Sequence, residues 1–236
     1  LGLGDINNDG KPDFAVSARN IRKTLIYLAG QGVLDSTPDL AIKGRDAIAK
    51  GDLNGDGILD LVVRVYDTLL VYIGKAPSPI ALDTMPSLII PGETTVGTFG
   101  NSFAIGDLND DGFDDIVIAD SDYGQLQGKV YVVLGKPDLT STVDFSAVGD
   151  SAESFYGHTV RIADINGDGV ADLAVSSDER RRAPMIDIFF GRSGWTFEKN
   201  SYDQRLESET VGLKYVHWFN LLDVNADGRS DVSVTQ

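Results

Sequence analysis

Short runs of apolar residues, separated by stretches rich in Gly and Asp, recur along the whole chain. The runs are too short for helices, and no segment keeps the i, i+3, i+4 apolar spacing of an amphipathic helix, so we expect β-strands. They fall into five periods, each of which opens with two strands on either side of an acidic loop. These paired strands are predicted at 1–4 and 14–18, 47–51 and 61–65, 102–106 and 116–119, 159–163 and 173–176, and 218–222 and 232–234.

A third strand that ends in Gly and a weaker fourth strand complete the first four periods. The third strands are predicted at 24–30, 68–74, 129–135 and 185–191, and the fourth at 39–43, 87–90, 143–148 and 203–206. Four strands per period predict an all-β fold, a β-propeller of four-stranded blades, with four blades plus the start of a fifth in this chain. We expect a single propeller region over 1–236, with periods at about 1–46, 47–98, 99–154, 155–214 and 215–236, the last one partial.

The acidic loops share one nonapeptide pattern, Asp-h-Asn-x-Asp-Gly-x-x-Asp, in which h is apolar. Five copies align without gaps, and we number them loops 1 to 5: 5–13, 52–60, 107–115, 164–172 and 223–231. Their first residues are 47, 55, 57 and 59 residues apart. Because each copy lies between two paired strands, we expect it at the tip of a β-hairpin.

Each position of this nonapeptide has a physical reason. Side-chain oxygens at positions 1, 3, 5 and 9 and the carbonyl of position 7 can converge on one ion if Gly at position 6 allows a sharp turn. Oxygen donors without nitrogen or sulfur, in a flexible shell, favour Ca²⁺ over transition metals and Mg²⁺. The apolar residue at position 2 is expected to point away from the ion into the core. We therefore predict up to five Ca²⁺ sites, with the ligands Asp5, Asn7, Asp9, Lys11, Asp13, Asp52, Asn54, Asp56, Ile58, Asp60, Asp107, Asn109, Asp111, Phe113, Asp115, Asp164, Asn166, Asp168, Val170, Asp172, Asp223, Asn225, Asp227, Arg229 and Asp231.

Two other structures share parts of this pattern, the EF-hand and the Asx-rich β-turn. An EF-hand requires flanking helices and a bidentate Glu at position 12, but position 12 is apolar every time: Val16, Val63, Ile118, Val175 and Val234. A single copy is equally typical of an Asx-rich β-turn that binds nothing. Five copies with the same four polar residues favour metal binding over that turn.

Composition narrows the possible functions. The 236 residues include 36 Asp plus Glu against 20 Lys plus Arg, a net charge of −16, and 30 of the 36 acidic residues are Asp. One short basic run, 180–182, does not provide the basic face that nucleic-acid binding requires. Since the chain has no Cys and two His residues, thiolate sites and disulfides are excluded. No stretch has the roughly 20 apolar residues of a membrane helix.

The loops, together with Phe99-Gly100, Phe155-Tyr156-Gly157 and the run 128–135, resemble the FG-GAP repeats of integrin α-chain propellers and their bacterial relatives. The resemblance implies a toroidal propeller, often seven-bladed, with Ca²⁺ held between the first and second strands of a blade by the residues named above. Seven blades at the mean spacing would need on the order of 380 residues. We therefore expect this chain to be part of a larger ring, completed by further blades from the same or another chain.

The function expected is that of a calcium-stabilised, non-catalytic extracellular module for protein interaction or adhesion. Loops of this type suit the millimolar Ca²⁺ outside cells, which indicates a secreted or cell-surface location with a protein or glycan ligand. Two alternatives stay open: a carbohydrate-binding lectin propeller, and the propeller domain of a secreted polysaccharide-degrading enzyme. Neither His158 nor His217 recurs with a nucleophile, so no catalytic residues are predicted. Trp195, Tyr202, Tyr215 and Trp218 are expected in the core rather than in a sugar-stacking platform.

Overall fold

A computed structural model describes residues 2–6, 9–18, 20–29, 37–44, 48–74, 85–93, 98–177, 184–207 and 218–235. Several residues singled out from the sequence lie outside these ranges, namely Asn7, Arg180, Arg181, Arg182, Tyr215 and His217, as does the side chain of Trp218. Of the residues that the structure describes, 44% lie in strands and 2% in helix, so the fold is all-β.

The strands form four sheets of four strands and one pair, and consecutive strands are antiparallel neighbours in every sheet. Blade 1 contains β1 (Gly2–Gly4), β2 (Asp13–Ala18), β3 (Lys23–Tyr27) and β4 (Leu40–Lys43). Blade 2 contains β5 (Ile48–Gly51), β6 (Asp60–Arg64), β7 (Thr68–Tyr72) and β8 (Leu88–Pro91).

Blade 3 contains β9 (Ser102–Gly106), β10 (Asp115–Asp120), β11 (Lys129–Val133) and β12 (Phe145–Val148), with one helical turn, α1 (Tyr123–Leu126), between β10 and β11. Blade 4 contains β13 (Val160–Ala163), β14 (Asp172–Ser177), β15 (Met185–Phe189) and β16 (Gln204–Glu207). Half-blade 5 contains β17 (Trp218–Leu222) and β18 (Asp231–Thr235). Every strand expected from the sequence is present.

Strand boundaries differ from the predictions in two systematic ways. Each second strand starts one residue early, at the last Asp of the loop, because that residue pairs with the strand before the loop, as Asp60 does with Gly51. Each third strand ends before the expected Gly, because the following N–H groups bond to side-chain oxygens instead, mostly those of carboxylates. After β11, for example, the Leu134 N–H donates to Asp144 Oδ2 (2.9 Å) and the Gly135 N–H to Asp115 Oδ1 (2.9 Å).

The hydrophobic core lies between neighbouring blades. The first strands of blades 2 and 3, of blades 3 and 4, and of blade 4 and half-blade 5 lie against each other, so they form the inner side of the arrangement. Between blades 2 and 3, for instance, Leu53, Val62, Phe99, Ile116 and Tyr131 form one buried cluster. No helix of the described residues is long and apolar enough to cross a membrane.

Candidate metal-binding loops

The five acidic loops each join the first and second strands of a blade, as expected, and hydrogen bonds connect loop 2 to loop 3 and loop 4 to loop 5. The Asp114 N–H of loop 3 donates to the Asp52 carbonyl of loop 2 at 2.8 Å, and the Ser230 N–H of loop 5 donates to the Asp164 carbonyl of loop 4 at 2.8 Å. The loops therefore lie along one rim of the sheets, at the ends where the first strands finish and the second strands begin.

The position-1 carboxylate holds its own loop in a turn. In all five loops its Oδ2 accepts a hydrogen bond from the N–H of the position-6 Gly, at 2.7–2.9 Å. That Gly has a positive φ of 80–91° in every loop, a conformation that costs Gly little and other residues more. The sequence-based assignment of the turn to position 6 is confirmed.

Positions 3 and 5 are oriented by further hydrogen bonds. The Oδ1 of the position-5 Asp accepts the N–H of position 7 in all five loops, at 2.9–3.0 Å. In loops 2 to 5 the Asn at position 3 donates its Nδ2–H to the Oδ2 of the position-5 Asp, at 2.9–3.1 Å. In loops 2 to 5 the side chains at positions 3 and 5 are thus held next to each other.

These hydrogen bonds favour the ionised carboxylates. The pKa of Asp168 lies below its usual value because the Val170 N–H and the Asn166 side chain donate to it. The pKa of Asp223 is lowered in the same way, chiefly by the Gly228 N–H. Both side chains are solvent-exposed, so they are charged under physiological conditions.

The position-9 carboxylate is different, because it is buried and joins the loop to the third strand. Asp60 is fully buried; its Oδ2 accepts the Leu53 N–H at 2.9 Å and its Oδ1 accepts the Gly74 N–H at 2.8 Å. The same two-sided arrangement holds for Asp13, Asp115 and Asp172. Each of these residues links three segments of its own blade.

Burial also changes the acidity of these groups. Desolvation raises the pKa of Asp60 to about 6 and that of Asp115 to about 7, although two backbone N–H groups partly offset the effect. The pKa of Asp172 is raised for the same reason. A buried carboxylate in an acidic loop resists ionisation because the low-dielectric surroundings penalise charge, and the nearby position-1 and position-5 Asp add repulsion.

The donor set of the loops fits a hard cation. In each motif three carboxylates and one amide offer oxygen; loops 2 to 5 lie wholly within the described residues, whereas residues 7 and 8 of loop 1 lie outside them. Within the described ranges, no three His, Cys, Asp or Glu side chains are already grouped closely enough to hold an ion. The carboxylate oxygens instead accept the hydrogen bonds given above.

Three residues that support the site were not identified from the sequence. Asp39, Asp144 and Asp203 each precede a fourth strand and accept the first N–H after the third strand, at 2.8–2.9 Å. The sequence carried a usable signal, because an Asp stands directly before the fourth strand in three of four periods. This repeated acceptor fixes the end of the third strand, from which the next N–H reaches the position-9 carboxylate.

The expectation for position 2 holds in four loops and is wrong in the fifth. Leu53 and Leu108 are fully buried, and Ile6 and Ile165 pack against cores. Val224 is 66% exposed. In the other loops position 2 packs against the following blade, as Leu53 does against Ile116 and Tyr131, whereas the described residues place no further blade against Val224.

Comparisons with known proteins agree with this geometry. Residues 5–63, 52–118 and 107–175 each match the model of an FG-GAP-like repeat. Integrin alpha-5 of Xenopus laevis is 29% identical over 202 residues, covering 75% of this chain and 19% of the integrin, and integrin alpha pat-2 of Caenorhabditis elegans is 27% identical over 215 residues, covering 79% and 17%. The chain therefore spans about a fifth of the length of these relatives.

Among solved structures, the rhamnogalacturonan lyase YesW matches 90% of this chain and 48% of its own length, with a TM-score of 0.52 and 12% sequence identity. At that identity the similarity shows the fold alone, and the fold is a β-propeller. Since the three overlapping repeat matches extend over residues 5–175, more than half of the sequence, the chain belongs to the FG-GAP-like repeat family.

Proposed function

We propose that this chain forms part of a calcium-binding, calcium-stabilised extracellular β-propeller that serves as a non-catalytic interaction or adhesion module. The observation that carries the proposal is the repetition of one hydrogen-bonded loop geometry. In all five loops the position-1 carboxylate is held by the position-6 N–H and the position-5 carboxylate by the position-7 N–H. Similarity to integrin alpha chains over three quarters of the sequence supports the same function.

The residues that would hold Ca²⁺ are the side chains at positions 1, 3, 5 and 9 and the carbonyl at position 7. When bound, the ion would supply two positive charges, which offset two of the three carboxylate charges in one loop. To receive it, the position-5 carboxylate has to exchange its hydrogen bond from the Asn amide for the cation. The buried position-9 carboxylate has to ionise, and a neighbouring cation lowers the pKa of a carboxylate.

Calcium binding would stabilise the folded protein. A ligand that binds only the folded state adds about 2.7 kcal/mol per site at a hundredfold excess over Kd. Five filled sites would move the net charge from −16 to about −6 and remove repulsion along the rim. Because extracellular modules of low affinity are loaded only at 10⁻⁴–10⁻³ M Ca²⁺, we place the chain in a secreted or cell-surface protein with a protein or glycan ligand.

A sugar-binding or polysaccharide-degrading role is the alternative, and the two candidate aromatic residues whose side chains are described weigh against it. Trp195 is 3% exposed and packs edge-on against Phe145 and in a stack with Phe197. Tyr202 packs against the same core and lies under the Arg205 guanidinium, 4.1 Å from its ring centroid. Both side chains are therefore used in packing between blades 3 and 4, which confirms the core assignment made for them from the sequence.

The test is calorimetric titration of metal-stripped protein with Ca²⁺ and, separately, with Mg²⁺. We expect several sites that prefer Ca²⁺, and a melting temperature several degrees higher in Ca²⁺ than in chelator. Asp168→Ala should remove one site and loosen blade 4 alone, as followed by hydrogen exchange. A stoichiometry of zero or one site per chain would overturn the calcium proposal.

A further inference from the structure

Asp114, at position 8 of loop 3, connects two neighbouring loops through its backbone and its side chain. Its N–H donates to the Asp52 carbonyl at 2.8 Å, and its Oδ2 accepts the Asp52 N–H at 2.8 Å. The carboxylate also accepts a backbone hydrogen bond from Asp107, which helps to lower its pKa against the larger, raising effect of burial. Asp52 and Asp107 are the position-1 residues of loops 2 and 3, so one carboxylate binds the backbone of both.

The two loops are closely packed around this contact. A Cβ added to Gly51, directly before loop 2, would lie 2.6 Å from Asp114 Oδ2. A Cβ added to Gly55, inside loop 2, would lie 2.4 Å from the ring of Phe113. The side chains of Asp114 and Phe113 in loop 3 therefore lie close against the backbone of Gly51 and Gly55, and a shift of either loop must move the other.

The other loop junctions lack this carboxylate. Position 8 is Pro12, Leu59, Ala171 and Ser230 in loops 1, 2, 4 and 5. Ser230 keeps the backbone hydrogen bond to the preceding loop, to the Asp164 carbonyl, but its side chain carries no charge. The two-sided connection through a position-8 carboxylate is thus specific to loops 2 and 3.

We propose that Asp114 couples the cation sites of loops 2 and 3, so that filling one site raises the affinity of the other. The inference rests on the proposed calcium binding. Ordering loop 3 around an ion fixes Asp114, which stands next to the ligand Asp115, and thereby fixes Asp52. Binding of the second ion then costs less conformational entropy, which gives positive cooperativity. The effect is reciprocal, as linkage requires.

The experiment is a Ca²⁺ titration in which hydrogen exchange reports the protection of residues 54–58 in loop 2. Asp111→Ala removes the position-5 carboxylate and with it the cation site of loop 3. In the otherwise unchanged protein this substitution should raise the half-saturating Ca²⁺ concentration of loop 2 about fivefold, the lower end of typical coupling between sites. In an Asp114→Ala background it should leave that concentration unchanged within twofold.

Three further variants separate coupling from charge and from misfolding. Asp110→Asn removes one negative charge from loop 3 without touching the Asp114 contact, and should preserve the coupling. Asp114→Asn keeps an acceptor oxygen and should preserve it too. Asp114→Ser, the residue found at this place in loop 5, should abolish it, and it replaces Asp114→Ala if that protein fails to fold.

Two outcomes overturn the coupling and point to different causes. In the first, every loop gains protection in Ca²⁺, but Asp111→Ala changes the half-saturating Ca²⁺ concentration of loop 2 equally with and without Asp114, or not at all. Calcium binding then stands and the coupling fails. If no loop gains protection in Ca²⁺, the calcium proposal itself fails and the coupling falls with it.

Discussion

Loops 3 and 5 have the same pattern and the same internal hydrogen bonds but different surroundings. In both, the position-1 carboxylate accepts the Gly N–H, and the Asn amide donates to the position-5 Asp. Asp115 of loop 3 is fully buried and accepts N–H groups from Leu108 and Gly135. Asp231 of loop 5 is half-buried and accepts the N–H of Val224.

The difference shows which properties belong to the nonapeptide and which to its blade. A turn closed by bonds within nine residues forms in an incomplete blade as it does in a complete one. Full burial of the position-9 carboxylate and its second hydrogen bond require a third strand. We therefore expect loop 5 to be the loop whose local structure depends most on the cation.

The largest effect should come from removing the position-9 carboxylate in each loop. Asp115→Ala leaves two buried N–H groups without partners, which costs about 2–5 kcal/mol, whereas Asp231→Ala exposes one such group to water and costs about 1 kcal/mol. Chemical denaturation of the metal-stripped variants measures both free energies of unfolding. Equal losses of unfolding free energy in the two variants would show that the hydrogen bond from the end of the third strand does not contribute to stability.

A second, smaller contrast concerns position 12, which faces the preceding blade. Val175 is fully buried, whereas Val234 in half-blade 5 is 45% exposed. Val175→Ala should cost about 2 kcal/mol, from lost burial and the cavity left behind. Val234→Ala should cost less than about 0.5 kcal/mol. The two variants carry the same chemical change, so thermal unfolding compares only their surroundings; a Val234→Ala loss as large as that of Val175→Ala would refute this account.

A pH dependence is also expected, caused by the buried position-9 carboxylates of loops 2 and 3. The folded-state pKa values of Asp60 and Asp115, about 6 and about 7, lie above the unfolded value of 3.8. Between pH 4 and 7 the folded protein therefore holds more protons than the unfolded chain, so the metal-free protein should lose stability as the pH rises through this window.

Urea denaturation in chelator at pH 5 and pH 8 measures this dependence. Asp115→Asn, which cannot ionise, should flatten it in part, because Asp60 and Asp172 still titrate. The exposed Asp168 and Asp223 have lowered pKa values, and they act in the opposite direction only below pH 4. A metal-free protein whose stability rises between pH 5 and pH 8 would contradict the burial of these carboxylates.

Much of this architecture was accessible from the sequence because it depends on contacts between near neighbours. Five copies of one nonapeptide between apolar runs were sufficient to predict the hairpins, the position of each turn and the four-stranded blades. The Gly at position 6 of loop 3, Gly112, has the positive φ that the turn requires. The seven-bladed ring and the period boundaries stay predictions.

Only the tertiary structure decided how the loops are joined to the rest of the molecule. The bond from Gly135 to Asp115 spans 20 residues, and that from Asp52 to Asp114 spans 62 residues and crosses between blades. Nothing in the local pattern of Asp114 distinguishes it from the solvent-exposed Asp110. The physical reason is that burial, a raised pKa and coupling between loops are produced by neighbours distant in sequence, whereas the turn itself is closed within nine residues.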